Sequence, residues 1–328
     1  MLRSLFIICI FFVGILNAQH PYYGSLNQQL LSTNPAFAGS NKQLRVQSDY
    51  GTFDSNLTHP SIWYYLAADI LIKKHSGLGF SYTRNDFARE LFIQDQWSIS
   101  YAYHIIIKDK LKIVPSFQAS FFQLTLDRTK LNFGENVNDI FITSNVWVWG
   151  NEVIPSQTKH NADFSAGLLM YKENFFAGAS ILSFTQPDQG LLGVSKRPLT
   201  QIYQVGYNFK LKSKWICDVY TFSKFQYIYV NLQKTPRNFV QIGGNFGYNK
   251  VKLHVAARID ENSVHESLIA GLNYSSKGFT LGFNATYNYI NSDVYAKALQ
   301  LFLAMNFGKR KKAEESSSSA PSPVKLYY

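Results

Sequence analysis

Cysteine, methionine and charge are all scarce in this chain. Of two cysteines, Cys9 lies in an apolar run at the N-terminus, so Cys217 is the only thiol beyond it and no disulfide framework can form. Charged residues make up 16% of the 328, against about 25% in ordinary globular domains. Past residue 18 no apolar run approaches the roughly 20 residues that a spanning helix needs. The mean hydropathy of -0.13 also excludes a bundle of hydrophobic helices. Catalytic constellations are missing too. None of the seven histidines sits at metalloprotease or zinc-finger spacing, and no serine, histidine and acid are grouped as acyl transfer requires. The expectation is therefore a protein without catalytic, cofactor-binding or metal site, and not an enzyme.

What the chain does have is aromatic and apolar residues, at 16% and 46%, which exclude disorder over most of its length. At the start, Arg3 precedes the apolar run Leu5 to Leu16, which leads to Asn17-Ala18 and then Gln19, His20 and Pro21. A short positive region, a short apolar core and a small residue make a secretory signal peptide, residues 1–18, with cleavage after Ala18. Cys9 is inside that core and is no lipoprotein acceptor. An exported chain without a spanning helix is either soluble or crosses the outer membrane of a Gram-negative envelope as strands.

Alternation decides between these. In 91–107, Ile93, Trp97, Ile99, Tyr101, Tyr103 and Ile105 alternate with Gln94, Gln96, Ser98, Ser100, Ala102 and His104, and Asp95 is the one exception. The final stretch repeats the pattern, with Leu299, Leu301, Leu303, Met305 and Phe307 against Gln300, Ala304 and Asn306. Period two over such lengths fits tilted membrane strands of about 9–11 residues rather than sandwich strands of about five or six. Strands read as 44–50, 61–72, 76–85, 91–107, 111–126, 162–172, 174–184, 200–210, 215–233, 238–248, 250–260, 265–275, 278–289 and 296–307. Short lysine-bearing turns alternate with generally longer loops, including 127–161 and 185–199. This predicts an all-β fold, a transmembrane antiparallel β-barrel of about 14 strands over 44–307, with both termini periplasmic. The weak point is 215–233; splitting it would make the count odd. Residues 19–43 read as a periplasmic N-terminal segment. Residues 308–328, with Lys309-Arg310-Lys311-Lys312, four serines and two prolines, read as a disordered periplasmic tail.

The net charge, +11 for the whole chain, is concentrated past the signal peptide in turns and tail, which argues against nucleic acid. His104 shares its strand face with Ser98 and Ser100, and its plainest reading is a structural lumen histidine rather than a base. Gly243-Gly244 in mid-strand reads as a bulge or a close approach. In the 127–161 loop, Trp147, Trp149 and Ile154 are anchors of the type that dominate interfaces; the loop either meets a partner or folds in to plug the lumen. The run Asn34 to Gly39 is either a turn starting the first strand, since Pro35 fixes φ and Gly39 permits φ > 0, or a periplasmic docking site with Phe37.

Two stretches carry a family resemblance. Asn34-Pro35-Ala36-Phe37-Ala38-Gly39 precedes the first strand, and Asp163 to Tyr171 followed by Asn174 to Ser180 forms a small-residue hairpin with an aromatic-Gly return. Together with the closing strands from about 250 to 307, they resemble the PorP/SprF family of type IX secretion system outer-membrane proteins. The resemblance implies a non-enzymatic component of a secretion or gliding-motility system, seated in outer-membrane lipid. It would bind or anchor a secreted client, such as a large adhesin with a C-terminal sorting domain. A periplasmic peptidoglycan-binding lipoprotein is a second implied partner. The alternative from the residues alone is a passive channel or hydrophobic-ligand transporter; the Gln, Ser and Ala face of 91–107 suggests a filled or narrow lumen.

Overall fold

The computed structural model describes residues 28–41, 43–54, 60–87, 90–107, 111–127, 157–191, 195–209, 211, 214–230, 233–236, 238–260, 265–276, 278–290 and 293–307. The predicted signal peptide, residues 19–27, the tail, and Trp147, Trp149 and Ile154 lie outside the described residues.

Sixteen strand segments follow one another along the chain. They are β1 (Leu44–Asp54), β2 (Ser61–Ile72), β3 (Ser76–Phe87), β4 (Phe92–Tyr103), β5 (Ile105–Ile107) and β6 (Leu111–Leu126). Next come β7 (Gln157–Lys172), β8 (Phe175–Leu182), β9 (Thr200–Phe209), β10 (Trp215–Val230) and β11 (Gln233–Pro236). The last five are β12 (Phe239–Tyr248), β13 (Val251–Asp260), β14 (His265–Ser276), β15 (Phe279–Ile290) and β16 (Asp293–Phe307). Because β4 with β5 and β11 with β12 each form one interrupted strand, the segments make a closed antiparallel barrel of 14 strands. Closure is the pairing of β16 with β1, from Leu44 opposite Phe307 to Asp54 opposite Lys297. No sheet edge is then left to lipid. The stretch read as 215–233 holds as one strand to Val230, which keeps the count even.

Local chemistry explains the turns and the breaks. Tight turns at one end pass through left-handed residues: Glu173 (φ 52°) and Asn249 (φ 58°) open two-residue hairpin turns, and Lys73 (φ 56°) opens a three-residue turn between Ile72 and Ser76. The gap between β4 and β5 falls across from Pro115, which has no N–H to give. His104 there donates its backbone N–H to the His75 carbonyl at 2.7 Å instead. No register shift occurs at Gly243-Gly244, so the close-approach reading holds and the bulge does not. A Cβ on Gly243 would come within 2.7 Å of the Tyr220 hydroxyl.

The alternation sorts side chains as expected. Ser98, Ser100, Ala102 and His104 are buried, while Ile99, Tyr101, Tyr103 and Ile105 face outward. The exception, Asp95, belongs to the outward face by register but is only 6% exposed, near the long-loop end. There the Tyr82 hydroxyl donates to it at 2.6 Å and Arg84 lies 3.7 Å away. An acid is tolerable on that face because it is paired and close to the rim, where burial in lipid costs least.

Candidate functional site

The lumen is not empty. Residues 28–41 run inside it, as a helical turn α1 (Leu30–Thr33), a 3-10 turn over Pro35–Phe37, and a reversal at Gly39. Asn34, Pro35, Phe37 and Gly39 were read as a turn starting the first strand or as a periplasmic docking site; the run does turn just before β1, but all four residues are buried within the barrel. The local reason is in the run itself. The Asn34 side-chain oxygen accepts the Ala36 N–H at 2.9 Å, Pro35 occupies the first position of the turn, and Gly39 adopts φ 70°. That compact knot carries Leu30, Leu31, Ala36, Phe37 and Ala38 as an apolar surface with no more than 1% exposure.

One apolar cluster takes in this knot and Tyr65, Ala67, Ala102, Val114, Leu169 and Phe176 on one side, and Tyr220, Ala256 and Ile269 on the other. It therefore crosses the lumen from β2, β4, β6, β7 and β8 to β10, β13 and β14. Each large apolar side chain so buried contributes about 1.5–3 kcal/mol.

Polar latches fix the knot. The Asn34 amide donates to the carbonyls of Leu168 and Ala179, at 3.3 Å each, and Ser180 donates to the Thr33 carbonyl at 2.7 Å. Phe37 meets the Phe176 edge at 6.3 Å between ring centres. The run at 34–39 and the hairpin at 163–180, which carried the family resemblance separately, are thus two halves of one contact. At the short-turn end, Asp69 accepts the Gly39 N–H at 2.9 Å and pairs with Arg45 at 2.7 Å, both side chains fully buried. His104 Nε2–H donates to the Ala38 carbonyl at 2.9 Å, a structural role as expected. Space is made by glycine: a Cβ on Gly77 would strike the Ala38 carbonyl, and one on Gly167 would strike the Asn34 side chain.

Above the knot lies a cavity of about 340 Å³, floored by Gln29, Ser32 and Thr33 and walled by Ser81, Gln94, Gln96, Gln118, Ser120, Phe122 and Lys224 among others. The loop between β8 and β9 turns into its mouth. Arg197 from that loop lies over the Phe122 ring at 3.7 Å, and donates to Ser183 at 2.8 Å and Gln96 at 3.4 Å. Farther out, Lys159 donates to Asp188 at 2.7 Å, and backbone N–H groups of Ser195 and Gly190 reach the same carboxylate. The Lys159 ammonium is the main cause that holds the Asp188 carboxyl down, at about 2. Sequence reasoning missed Arg45, Asp69, Arg197 and Lys224, because polar side chains facing a lumen are the default in any barrel. Among the described residues no group of three or more His, Cys, Asp or Glu is placed to hold a metal ion.

A closed antiparallel barrel with an apolar outer belt, a polar lumen and an internal plug is an outer-membrane protein. The sequence profile of the type IX secretion system membrane protein PorP/SprF family matches residues 15–300. The chain belongs to that family, and the shared barrel and family place it in the outer membrane. No curated protein matches the chain. Among solved structures it is similar to the CymD monoaromatic hydrocarbon channel, with 10% identity, TM-score 0.51, and 91% of this chain and 99% of that one covered. A TodX deltaS2S3 mutant monoaromatic hydrocarbon channel matches at 10% identity and TM-score 0.50, covering 87% of this chain and 99% of that one. Omp33 of Acinetobacter baumannii matches at 10% identity and TM-score 0.46, over 81% and 98%. At such identities the likeness is one of fold.

Proposed function

We propose that this barrel is a non-catalytic binding component of a type IX secretion or gliding-motility system. In this reading the signal peptide is removed after Ala18, the short turns face the periplasm, and the long loops face out. The barrel holds a secreted client, of the large-adhesin type with a C-terminal sorting domain, through its outer loops. Trp147, Trp149 and Ile154 are the anchors, and a peptidoglycan-binding lipoprotein is a partner on the periplasmic side. The observation that carries the reading is the plug, because an apolar cluster crossing the lumen suits a scaffold better than a conduit.

The test is affinity purification of the tagged protein from detergent-solubilised envelopes, with and without residues 136–155. Recovery of a large secreted protein by the intact chain and its loss on deletion supports the reading. Unchanged client retention after deletion refutes the loop as the contact. A barrel that comes down alone and gives large stable conductance steps in planar bilayers moves the assignment to a passive channel.

A further inference from the structure

The two ends of the barrel differ in charge. The short-turn stretches 73–75, 108–110, 172–174, 210–214, 249–250 and 277–278 hold ten lysines against Asp109 and Glu173. At the opposite end, 55–60, 88–91, 127–156, 183–199, 231–238, 261–264 and 291–292 together hold seven lysines and arginines against seven acids. The surplus is thus confined to one rim, and the chain leaves that rim after Phe307 through Lys309-Arg310-Lys311-Lys312. Lys73, Lys74, Lys172, Lys214 and Lys250 are exposed, and among the described residues none of the five is in an ion pair. An aromatic belt marks the depth. Phe175, Phe209, Trp215, Tyr248, Phe279 and Phe307 are each the terminal residue of a strand at this end, 37–50% exposed on the outer wall. Such a girdle lies at the membrane–water interface. The lysines stand at this level or just beyond it: Lys172 is opposite Phe175, Lys214 precedes Trp215, and Lys250 comes two residues after Tyr248.

We infer that this basic rim binds the headgroups of anionic phospholipid in the membrane around the barrel. The cations are spread over six turns around the circumference and form no single patch. That arrangement suits an annulus of many small anions better than one acidic protein surface. Their depth is that of lipid phosphates, and a lysine stem can lie along an aromatic belt while its ammonium stays in water. Each lysine so engaged favours an anionic over a zwitterionic lipid by about two- to fivefold. The inference rests on the proposed orientation for the leaflet alone: with the short turns toward the periplasm, the lipid is that of the inner leaflet.

The experiment is native mass spectrometry of the purified full-length protein in detergent, with phosphatidylglycerol and phosphatidylethanolamine of identical acyl chains added in equal amounts. The expected result is phosphatidylglycerol adducts in excess by about fivefold or more. Replacing Lys73, Lys74, Lys172, Lys214 and Lys250 by glutamine should bring the two lipids to near parity, in a barrel whose heat-modifiable gel mobility shows that it is folded. If that variant does not fold, Lys214→Gln with Lys250→Gln should lower the excess at least twofold. Lys196→Gln, at the other end, should leave it unchanged. Equal binding of the two lipids by the wild type, or an excess untouched by the rim substitutions, overturns the inference and leaves the rim to an acidic protein partner. A membrane-impermeant maleimide tests the leaflet separately, on intact cells carrying Lys172→Cys in a Cys217→Ser background. Protection until the envelope is permeabilised supports the inner leaflet. Labelling of intact cells overturns the orientation and the leaflet, a failure distinct from loss of the lipid preference.

Discussion

Asp69→Asn is the sharpest single perturbation of the plug. The substitution keeps shape and volume but removes the negative charge 2.7 Å from Arg45, with both side chains at 0% exposure. Breaking a buried ion pair from one side costs about 3–5 kcal/mol, because the remaining charge has no water. Two ways out are open to Arg45: the barrel wall opens, or the plug moves. The wall at this point is held by the continuous β1–β2 and β1–β16 ladders. The plug is held here by few bonds, among them Gly39 N–H to Asp69 and Arg45 to the Phe37 carbonyl. Release of residues 37–40 is therefore the cheaper relief, and it shifts the docked-to-released ratio roughly a hundred- to several-thousand-fold. Hydrogen exchange read by mass spectrometry on the peptide spanning 28–41 measures it directly, and planar-bilayer recordings should show new openings. Removing both charges, Arg45→Met with Asp69→Asn, should restore most of the protection, since no charge is stranded. Equal exchange in the wild type and in Asp69→Asn, or no rescue by the double variant, refutes this account of the plug.

Gly77→Val should expel the short-turn end of the plug because its side chain meets the Ala38 carbonyl, and protease cleavage near residue 40 in detergent would report it. Phe37→Ala removes a fully buried ring from the cluster that crosses the lumen; the expected loss is about 3–5 kcal/mol, seen as faster exchange over 28–41 with the barrel strands unchanged. His104→Ala strands the Ala38 carbonyl and should cost about 1–3 kcal/mol of plug docking, less than Asp69→Asn in the same assay. Arg197→Leu cuts the bonds to Ser183 and Gln96 and should raise proteolysis of the β8–β9 loop while leaving exchange over 28–41 as it was.

The barrel was legible because a membrane strand writes its environment into every second residue. Residues 91–107 and 296–307 show this plainly, although the break at His104 within the first was not foreseen. Boundaries slipped where that grammar lapses. β7 begins at Gln157, earlier than the expected 162, because Lys159 and His160 near the rim give no apolar alternation. The plug was half legible. Asn34-Pro35 and Gly39 announced a turn, yet Leu30, Leu31 and Phe37 read the same whether they fill a lumen or face a partner. The contacts that decide it, from Asn34 to Leu168 and Ala179, are 134 and 145 residues away. Arg197 and Lys224 gave no signal, since a lone cation in a polar lumen is ordinary until its neighbours are known.

The place of the plug in the chain has a consequence for how the molecule is made. Residues 28–41 emerge early and meet Arg45 and Asp69 soon after, but their partners on β7 and β8 come more than a hundred residues later, so the knot cannot be fully seated until half the barrel exists. The seam of β1 with β16 then closes around it. A segment seated before closure is enclosed; one that is late faces a finished wall. The order of events during insertion therefore decides between two end states built from the same sequence, and slow release of the β1–β16 seam by the insertion machinery would favour the filled one.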